Sequence, residues 1–507
     1  ILDELERHYL EGSLPNVRPI VKSYSLTIAA IGNSLEQNAA QMAEDVLRRL
    51  EQIHQNGTIP GMSPSTAIFN SVIKAIARVK KTGEDGRTHA LQAQRLLTEM
   101  TERAKHGETA VQPNERSWGC CILVWADSGL PNAAAEAERV LRSMDLSFRR
   151  GEIDFRPNTV CYTTVIRAWS NSRLPGAADR AEEILMKMEE QYEETVDERL
   201  KPSRISYITL IDCLIKQDPY NAGRRAQETV DRMIRLYAKG VGFERPEKMV
   251  FNTLLNAWAK SKDSDAGIRA EHLLTWMDEV DDIHVRPDEI SFCCVLNAWA
   301  NKALSGGARR AEALLNHMES LSPKRRGFQP SIICYNIVIK AWSRSRDPDA
   351  VSRVEELLKH LETRDDIHPD TTTYSSVINC CAYYHGPDMN MAYEVAMRTY
   401  QKMIWSTKER PNSITYGTII KVIGRHFNSR EVDESGQLQN IFRHCSERGY
   451  VDMFVLYSLR DACSPNLFKE IVLPNEGNQE NTGEKDTKFE SILTKIPSSW
   501  RRNCGYP

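Results

Sequence analysis

Cysteine is the residue type in this sequence with the widest chemistry, and the chain has 12 of them. Half of them stand in three adjacent pairs, Cys120-Cys121, Cys293-Cys294 and Cys380-Cys381. Adjacent cysteines rarely bond to each other, and neither a C-x-x-C element nor the Cys/His spacing of a zinc site occurs. The pattern therefore predicts reduced thiols that fill small core positions, as expected in a reducing intracellular compartment.

No other group of residues has the spacing of a catalytic site. The sequence has no P-loop, no nucleotide-binding glycine pattern and no nucleophile elbow. Its Asp and Glu residues fall mostly on helix faces that we expect to be exposed. We therefore expect no enzymatic activity, no cofactor and no resident metal.

The charge balance limits how this chain could bind nucleic acid. Lys and Arg number 66 against 69 Asp and Glu, so the net charge is −3. Binding through bulk charge is thereby excluded, and a local basic track would be needed. The hydrophobic fraction of 41% is enough for a core. No apolar run reaches the ~18 residues that span a bilayer, so no membrane span is predicted.

Prolines recur at intervals of 39 to 49 residues, and each begins a similar block of sequence. An aromatic residue follows each Pro by five positions, and Ile or Leu follows it by nine. Five blocks also place Trp twelve residues after the Pro. These offsets follow the i, i+3, i+4, i+7 pattern of a helix. The anchors are Pro19, Pro64, Pro113, Pro157, Pro202, Pro246, Pro287, Pro330, Pro369 and Pro411.

A second helix is predicted in most blocks by a small residue followed seven positions later by Met, as in Ala181 and Met188. Seven residues are two helical turns, so both lie on one face. Each block is then a helical hairpin, which cannot bury its apolar face alone. The sequence predicts an all-α fold, an α-solenoid of about ten stacked hairpins. Trp125 and its equivalents are interpreted as core, with ligand stacking as the alternative.

The blocks at residues 156–169 and 330–342, each with an aromatic, Ile and Trp at fixed offsets, resemble pentatricopeptide repeats. The resemblance covers about residues 19–450. It implies a right-handed superhelix whose groove holds single-stranded RNA. The intervals are longer than is usual in that family. The excess lies in the turn between the helices and in the segment before the next Pro.

The resemblance implies that two side chains read each base, the sixth residue after one Pro and the residue directly after the next. Asn, Ser and Asp offer donors and acceptors to the free Watson–Crick edge of a single strand. Asn252 with Asp288 and Asn336 with Asp370 resemble uracil-type pairs, Asn70 with Asn114 a pyrimidine pair, and Ser375 with Asn412 an adenine pair. Other blocks, such as those with Thr163 or Cys293 at the first position, do not match the code, and Gly417 has no assigned partner. Asp and Asn are also common helix caps, which is the alternative for Asp288 and Asp370.

Two further sets of residues support a groove. In family members, bulky apolar side chains three residues after the Pro sandwich the bases; here these are Val160, Ile205, Met249, Ile290, Ile333 and Ile414. Fourteen residues after the Pro, basic side chains could contact phosphates; these are Arg78, Lys216, Lys260, Arg344 and Arg425. Solvated surface cations are the alternative for the second set.

The ends of the chain differ from the repeats. Residues 1–18 are interpreted as the end of a preceding repeat or an N-terminal cap. After the array at 19–450 we expect a capping helix at 451–473. The polar stretch 474–488 is predicted to be a disordered linker. The tail, 489–507, is interpreted as a docking peptide for the array or a partner, with a plain tail as the alternative.

Two functions are consistent with these features. The first is an organellar RNA-binding protein that holds single-stranded RNA for transcript stabilisation, processing or translation. The second is a structural subunit or assembly factor of an organellar ribosome or other large complex. Its protein partners would bind through the insertions and the tail, and ribosomal RNA is a further partner. The resemblance implies a mitochondrial location, with plastids as the alternative.

Overall fold

The computed structural model describes residues 2–11, 19–34, 36–79, 84–172, 174–280, 282–302, 306–325, 328–427, 436–472 and 496–504. Within these ranges the regular structure is helical and contains no strand, which confirms the all-α prediction. Among the same residues, no helix combines the length and apolarity needed to cross a membrane. The chain divides into two compact units, residues 1–257 with 261–263, and residues 258–260 with 264–507.

The first unit consists of helical hairpins. Its helices are α1 (Leu2–Leu10), α2 (Val21–Asn33), α3 (Ala39–Asn56), α4 (Thr66–Arg78), α5 (Glu84–Lys105), α6 (Glu115–Ala126), α7 (Ala133–Arg149), α8 (Thr159–Asn171), α9 (Ala177–Thr195), α10 (Arg204–Gln217), α11 (Ala222–Ala238) and most of α12 (Lys248–Lys260). The even-numbered helices follow the prolines and are called first helices. The odd-numbered helices α3 to α11 close each hairpin and are called second helices.

The second unit repeats the pattern. Its helices are α13 (Ala266–Glu279), α14 (Glu289–Ala300), α15 (Gly307–Leu321), α16 (Ile332–Ser345), α17 (Ala350–Glu362), α18 (Thr371–Ala382), α19 (Met389–Trp405), α20 (Ser413–His426), α21 (Gln437–Glu447), α22 (Met453–Ala462) and α23 (Pro465–Val472). In each unit the first helix of one hairpin packs on the first helix of the next. This stacking confirms the α-solenoid.

The residue after the Pro begins each first helix. Its backbone is extended, and in several repeats its side chain accepts a hydrogen bond from the third helical N–H, as Asn158 does from Cys161 N at 2.9 Å. Such a cap satisfies one of the N–H groups left open at a helix start. The Pro one residue earlier cannot continue the preceding helix. The short Pro–cap pair therefore ends one repeat and begins the next.

The predicted apolar positions form the core. Tyr162, Ile166, Ala181 and Met188 are at most 1% exposed, and Trp342 is equally buried. This confirms core packing for the aromatic, Ile and Ala–Met signature. Because the Trp rings are buried, their indole N–H groups need acceptors, and the sequence analysis assigned none.

Carboxylates supply the acceptor for three of the Trp side chains and join successive repeats, whereas Trp125 donates to Gln94. In the first unit Trp169 Nε1 donates to Glu138 at 3.0 Å, and Arg180 Nε donates to the same carboxylate at 3.0 Å. Glu138 comes from the second helix of the preceding hairpin, whereas the other two residues belong to the next. We call this Trp–Glu–Arg contact a joint. It satisfies a buried charge with two donors, as such groups require.

The same joint recurs in the second unit. Trp342 Nε1 donates to Glu312 at 2.8 Å, and Arg353 Nε lies 3.3 Å from that carboxylate. Trp299 Nε1 donates to Glu271 at 2.9 Å, and Arg310 is its cation. These joints recur with the repeat and hold the second-helix layer together.

The C-terminal helix prediction needs a correction. The described residues 451–472 form two helices rather than one, α22 and α23. Ser464 caps the second, accepting from Leu467 N at 3.2 Å, and Pro465 occupies its first position. Pro is favoured there because its missing N–H would have no partner. A Cβ at Gly424 of α20 would lie 2.5 Å from Ala462 Cβ, so α22 packs as an eleventh first helix.

Residues 496–504 lie against α21. Trp500 packs edge-on against Phe442 with ring centroids 5.6 Å apart, and Ile496 is buried. Two backbone hydrogen bonds of 2.9 Å tie the segment down, from Val451 N to Trp500 O and from Asn503 N to Gly449 O. The predicted linker 474–488 lies outside the described residues. The predicted boundaries themselves stay a prediction.

Candidate nucleic-acid interface

Six apolar side chains are exposed at one position of the first helices. Each is the second residue of its helix, where the side chain points away from the hairpin core. Their exposed fractions are 67% for Val160, 63% for Ile205 and 65% for Met249 in the first unit, and 62% for Ile290, 60% for Ile333 and 59% for Ile414 in the second. Single exposed apolar residues are ordinary, but a repeated set at one helical position indicates a binding surface. We call this set the apolar stripe.

Polar contacts between consecutive first helices lie at the predicted base-reading positions. Asn336 Nδ2 of α16 donates to Asp370 Oδ1 at 3.2 Å, and the Thr373 hydroxyl lies 2.7 Å from Asn336 Oδ1. These contacts fix which way the amide of Asn336 faces. One Nδ2–H and one oxygen lone pair remain for a ligand, because an amide has two donors and two acceptor sites.

The capping alternative for the Asp residues is also correct. Asp370 accepts from Thr373 N at 2.7 Å, and Asp288 accepts from Ser291 N at 3.0 Å. Each forms a capping box with the residue three positions on. Asp370 therefore caps a helix and orients Asn336 with the same carboxylate, so the two roles coexist. Asn252 is half-buried on α12 of the first unit, and Asp288 belongs to the second.

The two remaining pairs differ in their hydrogen-bond partners. Asn70 Nδ2 donates to Asn114 Oδ1 at 3.1 Å; Asn70 is buried, and its Oδ1 has no hydrogen-bond partner. Ser375 contacts the Thr415 hydroxyl at 2.8 Å, and Asn412 caps α20 through Thr415. Asn70 therefore has an unpaired acceptor, but burial shields that oxygen from solvent.

Sequence reasoning missed a third member of two of these pairs, Asn336 with Asp370 and Ser375 with Asn412. The residue four positions after the next Pro contacts the base-reading position directly, as Thr373 does with Asn336. Thr163 similarly meets Ser206 at 2.8 Å in the first unit. Ser or Thr recurs at this position in six blocks, at Ser23, Ser117, Ser206, Ser291, Thr373 and Thr415. That recurrence is a signal the sequence offered.

A second missed residue is Asp452. It caps α22 and accepts a hydrogen bond from Val455 N at 2.9 Å. In the other repeats the cap follows a Pro, whereas no Pro directly precedes Asp452. A Cβ at Gly417 would lie 2.4 Å from the Phe454 ring, so α22 follows α20 closely. Asp452 is therefore the partner position of Gly417. The absence of an anchoring Pro hid it.

The five predicted phosphate-contacting cations are all exposed. Lys216 Nζ lies 3.2 Å from Asn171 Oδ1, and Arg78 contacts Asn33. Those asparagines occupy the same position of the preceding repeat, so they support the cations there. Arg425 Nη2 donates to the carbonyl of Tyr384 at 3.0 Å and thereby closes the end of α18. Lys260 and Arg344 complete the set.

The cysteines agree with the prediction of core thiols. Eight of the 12 are buried, and none of the 12 forms a disulfide. Burial raises the pKa of the Cys121 and Cys380 thiols to about 12, so both stay protonated at neutral pH. Cys293 is different, because it is half-buried and occupies a base-reading position.

The fold and the repeated joints define a helical-repeat protein of the α-solenoid class. The family model of the pentatricopeptide repeat domain matches residues 151–217, 322–383 and 362–426. The matched stretches of the chain are therefore pentatricopeptide repeats. No curated protein matches its sequence.

Solved structures give more distant likenesses. The crystal structure of the pentatricopeptide repeat protein PPR10 from maize is 16% identical, covering 90% of this chain and 68% of that one, with a TM-score of 0.33. PPR10 in complex with an 18-nt psaJ RNA element is 15% identical, covering 88% and 82%, with a TM-score of 0.22. A homology model of the AP-3 complex is 11% identical, covering 95% and 76%, with a TM-score of 0.32. At these TM-scores the likenesses carry no argument, so the assignment rests on the matched repeats.

Proposed function

We propose that this protein binds single-stranded RNA along the first helices of its repeats. The observation that carries the proposal is the apolar stripe, six side chains about 60% exposed beside polar groups with fixed orientation. Apolar side chains can stack against base faces, while oriented amides and hydroxyls bond base edges. This combination suits unpaired bases, since a duplex hides both surfaces.

The electrostatics support moderate, salt-sensitive binding. The net charge is −3, so attraction to RNA has to come from local cations such as Lys260 and Arg344. We further propose that the RNA is an organellar transcript that the protein stabilises, helps to process or helps to translate by occupancy. The proposed location is the mitochondrion, with the plastid as the alternative.

Crosslinking in the native organelle, followed by sequencing of the bound RNA, tests this function. A narrow footprint containing uracils on one transcript is the expected result, since Asn336 with Asp370 resembles a uracil-type pair. Purified full-length protein should also retain a single-stranded oligouridylate better than a duplex of equal length. Equal retention of both would contradict recognition of unpaired bases.

A second candidate function is a structural role in an organellar ribosome or other large assembly. Trp405, at the end of a second helix, is 84% exposed, and Ile283, between two repeats, is 75% exposed. Both lie off the apolar stripe, on segments suited to a protein partner. Broad crosslinks to ribosomal RNA, with sedimentation alongside ribosomes, would favour this role over transcript binding.

A further inference from the structure

Two thiols meet between the first helices of adjacent repeats. Cys293 Sγ of α14 lies 3.0 Å from Cys334 Sγ of α16. Cys293 is half-buried and Cys334 is fully buried. In the next pair of helices, the same two positions hold Asn336 and Thr373. A polar contact is thus replaced here by a pair of sulfur atoms.

The surroundings favour a thiolate within this pair. The Cys293 thiol donates a hydrogen bond to Cys334, which lowers the pKa of the Cys334 thiol despite its burial and raises the pKa of the Cys293 thiol. The hydrogen bonds from Ser331, at the start of α16, act in the same direction. A disulfide bond of ~2.05 Å needs the sulfur atoms to close by only about 1 Å.

We propose that Cys293 and Cys334 are a redox-modification site, where a reversible disulfide joins two adjacent repeats. The co-reactant is a small disulfide such as oxidised glutathione. Cys293 is the accessible thiol, so its sulfur attacks first while the Cys334 thiolate accepts its proton, giving a mixed disulfide and one glutathione thiol. Cys334 sulfur then attacks Cys293 sulfur and releases the second glutathione. Two protein thiols are oxidised, two glutathione thiols form, and the two protons pass to the leaving groups.

Other cysteines differ from this pair in burial or in orientation. Cys121 and Cys380 are buried with raised pKa values. Cys294 is half-buried beside Cys293 in sequence, but burial raises the pKa of its thiol to about 11. It faces away from Cys293 by one helical position of about 100 degrees. Cys294 is therefore a matched control.

The test uses the reduced full-length protein and oxidised glutathione. After incubation, unreacted thiols are alkylated and the peptides are mapped by mass spectrometry without reduction. We expect one intramolecular cross-link between Cys293 and Cys334, which dithiothreitol removes. The variants Cys293→Ser and Cys334→Ser should each lose it, whereas Cys294→Ser should keep it. In Cys334→Ser, glutathione should remain attached to Cys293, because the resolving thiol is gone.

Three outcomes would overturn the proposal. One is a wild-type protein that shows no cross-link while its circular dichroism is native. Another is a wild-type mixed disulfide that persists at Cys293. The third concerns Glu289, whose carboxylate lies within 4.8 Å of both sulfur atoms and completes a set of metal-ligating groups. If stoichiometric Zn²⁺ binds the protein, needs Cys334 and Glu289, and no cross-link forms in its absence, the cluster is a metal site instead. The inference does not depend on RNA binding.

Discussion

Neighbouring repeats contact each other at the joints and at the base-reading pairs, where similar residues have different roles. In the joints, a buried carboxylate such as Glu312 receives hydrogen bonds from Trp342 and Arg353. On the first helices, half-buried groups such as Asn336 and Asp370 also bond across repeats but keep donors or acceptors open. The carboxylate in a joint is used by the protein itself, whereas the interface pairs keep donors or acceptors for a ligand. In these examples the joint carboxylate is buried and the interface groups are half-buried, so burial distinguishes the two contacts better than residue type does.

The largest expected effect comes from breaking a joint. Glu312→Ala leaves the Trp342 indole N–H and the Arg353 guanidinium without their acceptor, because Glu312 is only 6% exposed. We expect a loss of ~2–4 kcal/mol in unfolding free energy, measured by urea denaturation.

The matched control is Glu356→Ala. Glu356 also pairs with Arg353, at 2.6 Å, but its side chain is 62% exposed. An exposed pair one helical turn apart contributes ~0.5 kcal/mol or less. Equal losses in the two variants would show that the joint does not depend on burial.

The next effect concerns the apolar stripe. Ile333→Asp places a charge where a base would stack, so oligouridylate binding should weaken by about tenfold, or ~1.4 kcal/mol. Stability should hardly change, since Ile333 is 60% exposed. Fluorescence anisotropy measures the affinity. Ile268→Asp, at a site 47% exposed on second helix α13, is the control and should bind normally.

A smaller effect is expected at a base-reading pair. Asn336→Ala removes one oriented amide and should weaken oligouridylate binding by ~1 kcal/mol, with less discrimination against other bases. Asn379→Ala is the control, because Asn379 Nδ2 also bonds a neighbouring first helix, at Ser343 Oγ, 2.9 Å away. If the two variants lose the same affinity, the pair does not read bases.

The cations should act mainly through salt dependence. Arg344→Ala should lower the slope of log affinity against log salt by about 0.7, the value for one phosphate contact on a single strand. The change should be equal for every RNA sequence, because phosphates carry no base information. A slope that stays constant would place Arg344 among solvated surface cations. Titration of binding over a range of KCl concentrations measures it.

The smallest effect is a pH dependence near the C-terminus. Burial and the nearby Arg448 lower the pKa of His444, whose Nδ1 lies 2.9 Å from the Tyr416 hydroxyl. A lowered histidine pKa gives stability that is present above its unfolded value of about 6.5 and is lost as pH falls through the folded value. In His444→Gln, the urea concentration at the unfolding midpoint should change less with pH below about 6.5 than it does in the wild-type protein. An unchanged profile would assign the acid sensitivity to other groups.

The base-reading pairs also include contacts that the sequence did not predict. The residue after each Pro was predicted as reader or cap, and Asp370 is a cap that also orients the reader. The contact of Thr373 with Asn336 was not predicted, because those residues are 37 positions apart and meet only across stacked helices. The contact between Cys293 and Cys334 was not predicted for the same reason. The phosphate contact of Arg425 stays a prediction; its guanidinium also bonds two backbone carbonyls at the C-terminal end of α18.

The sequence by itself determined the helical hairpins and their core. Pro anchors, aromatic offsets and the Ala–Met spacing act within one hairpin, where helix geometry fixes which residues share a face. The apolar stripe was likewise predictable from position. Only the tertiary structure decided which polar groups close the joints, how Cys293 and Cys334 meet, and that α22 adds a helix without a Pro. Those contacts depend on how close one repeat lies to the next, and that distance is set by packing.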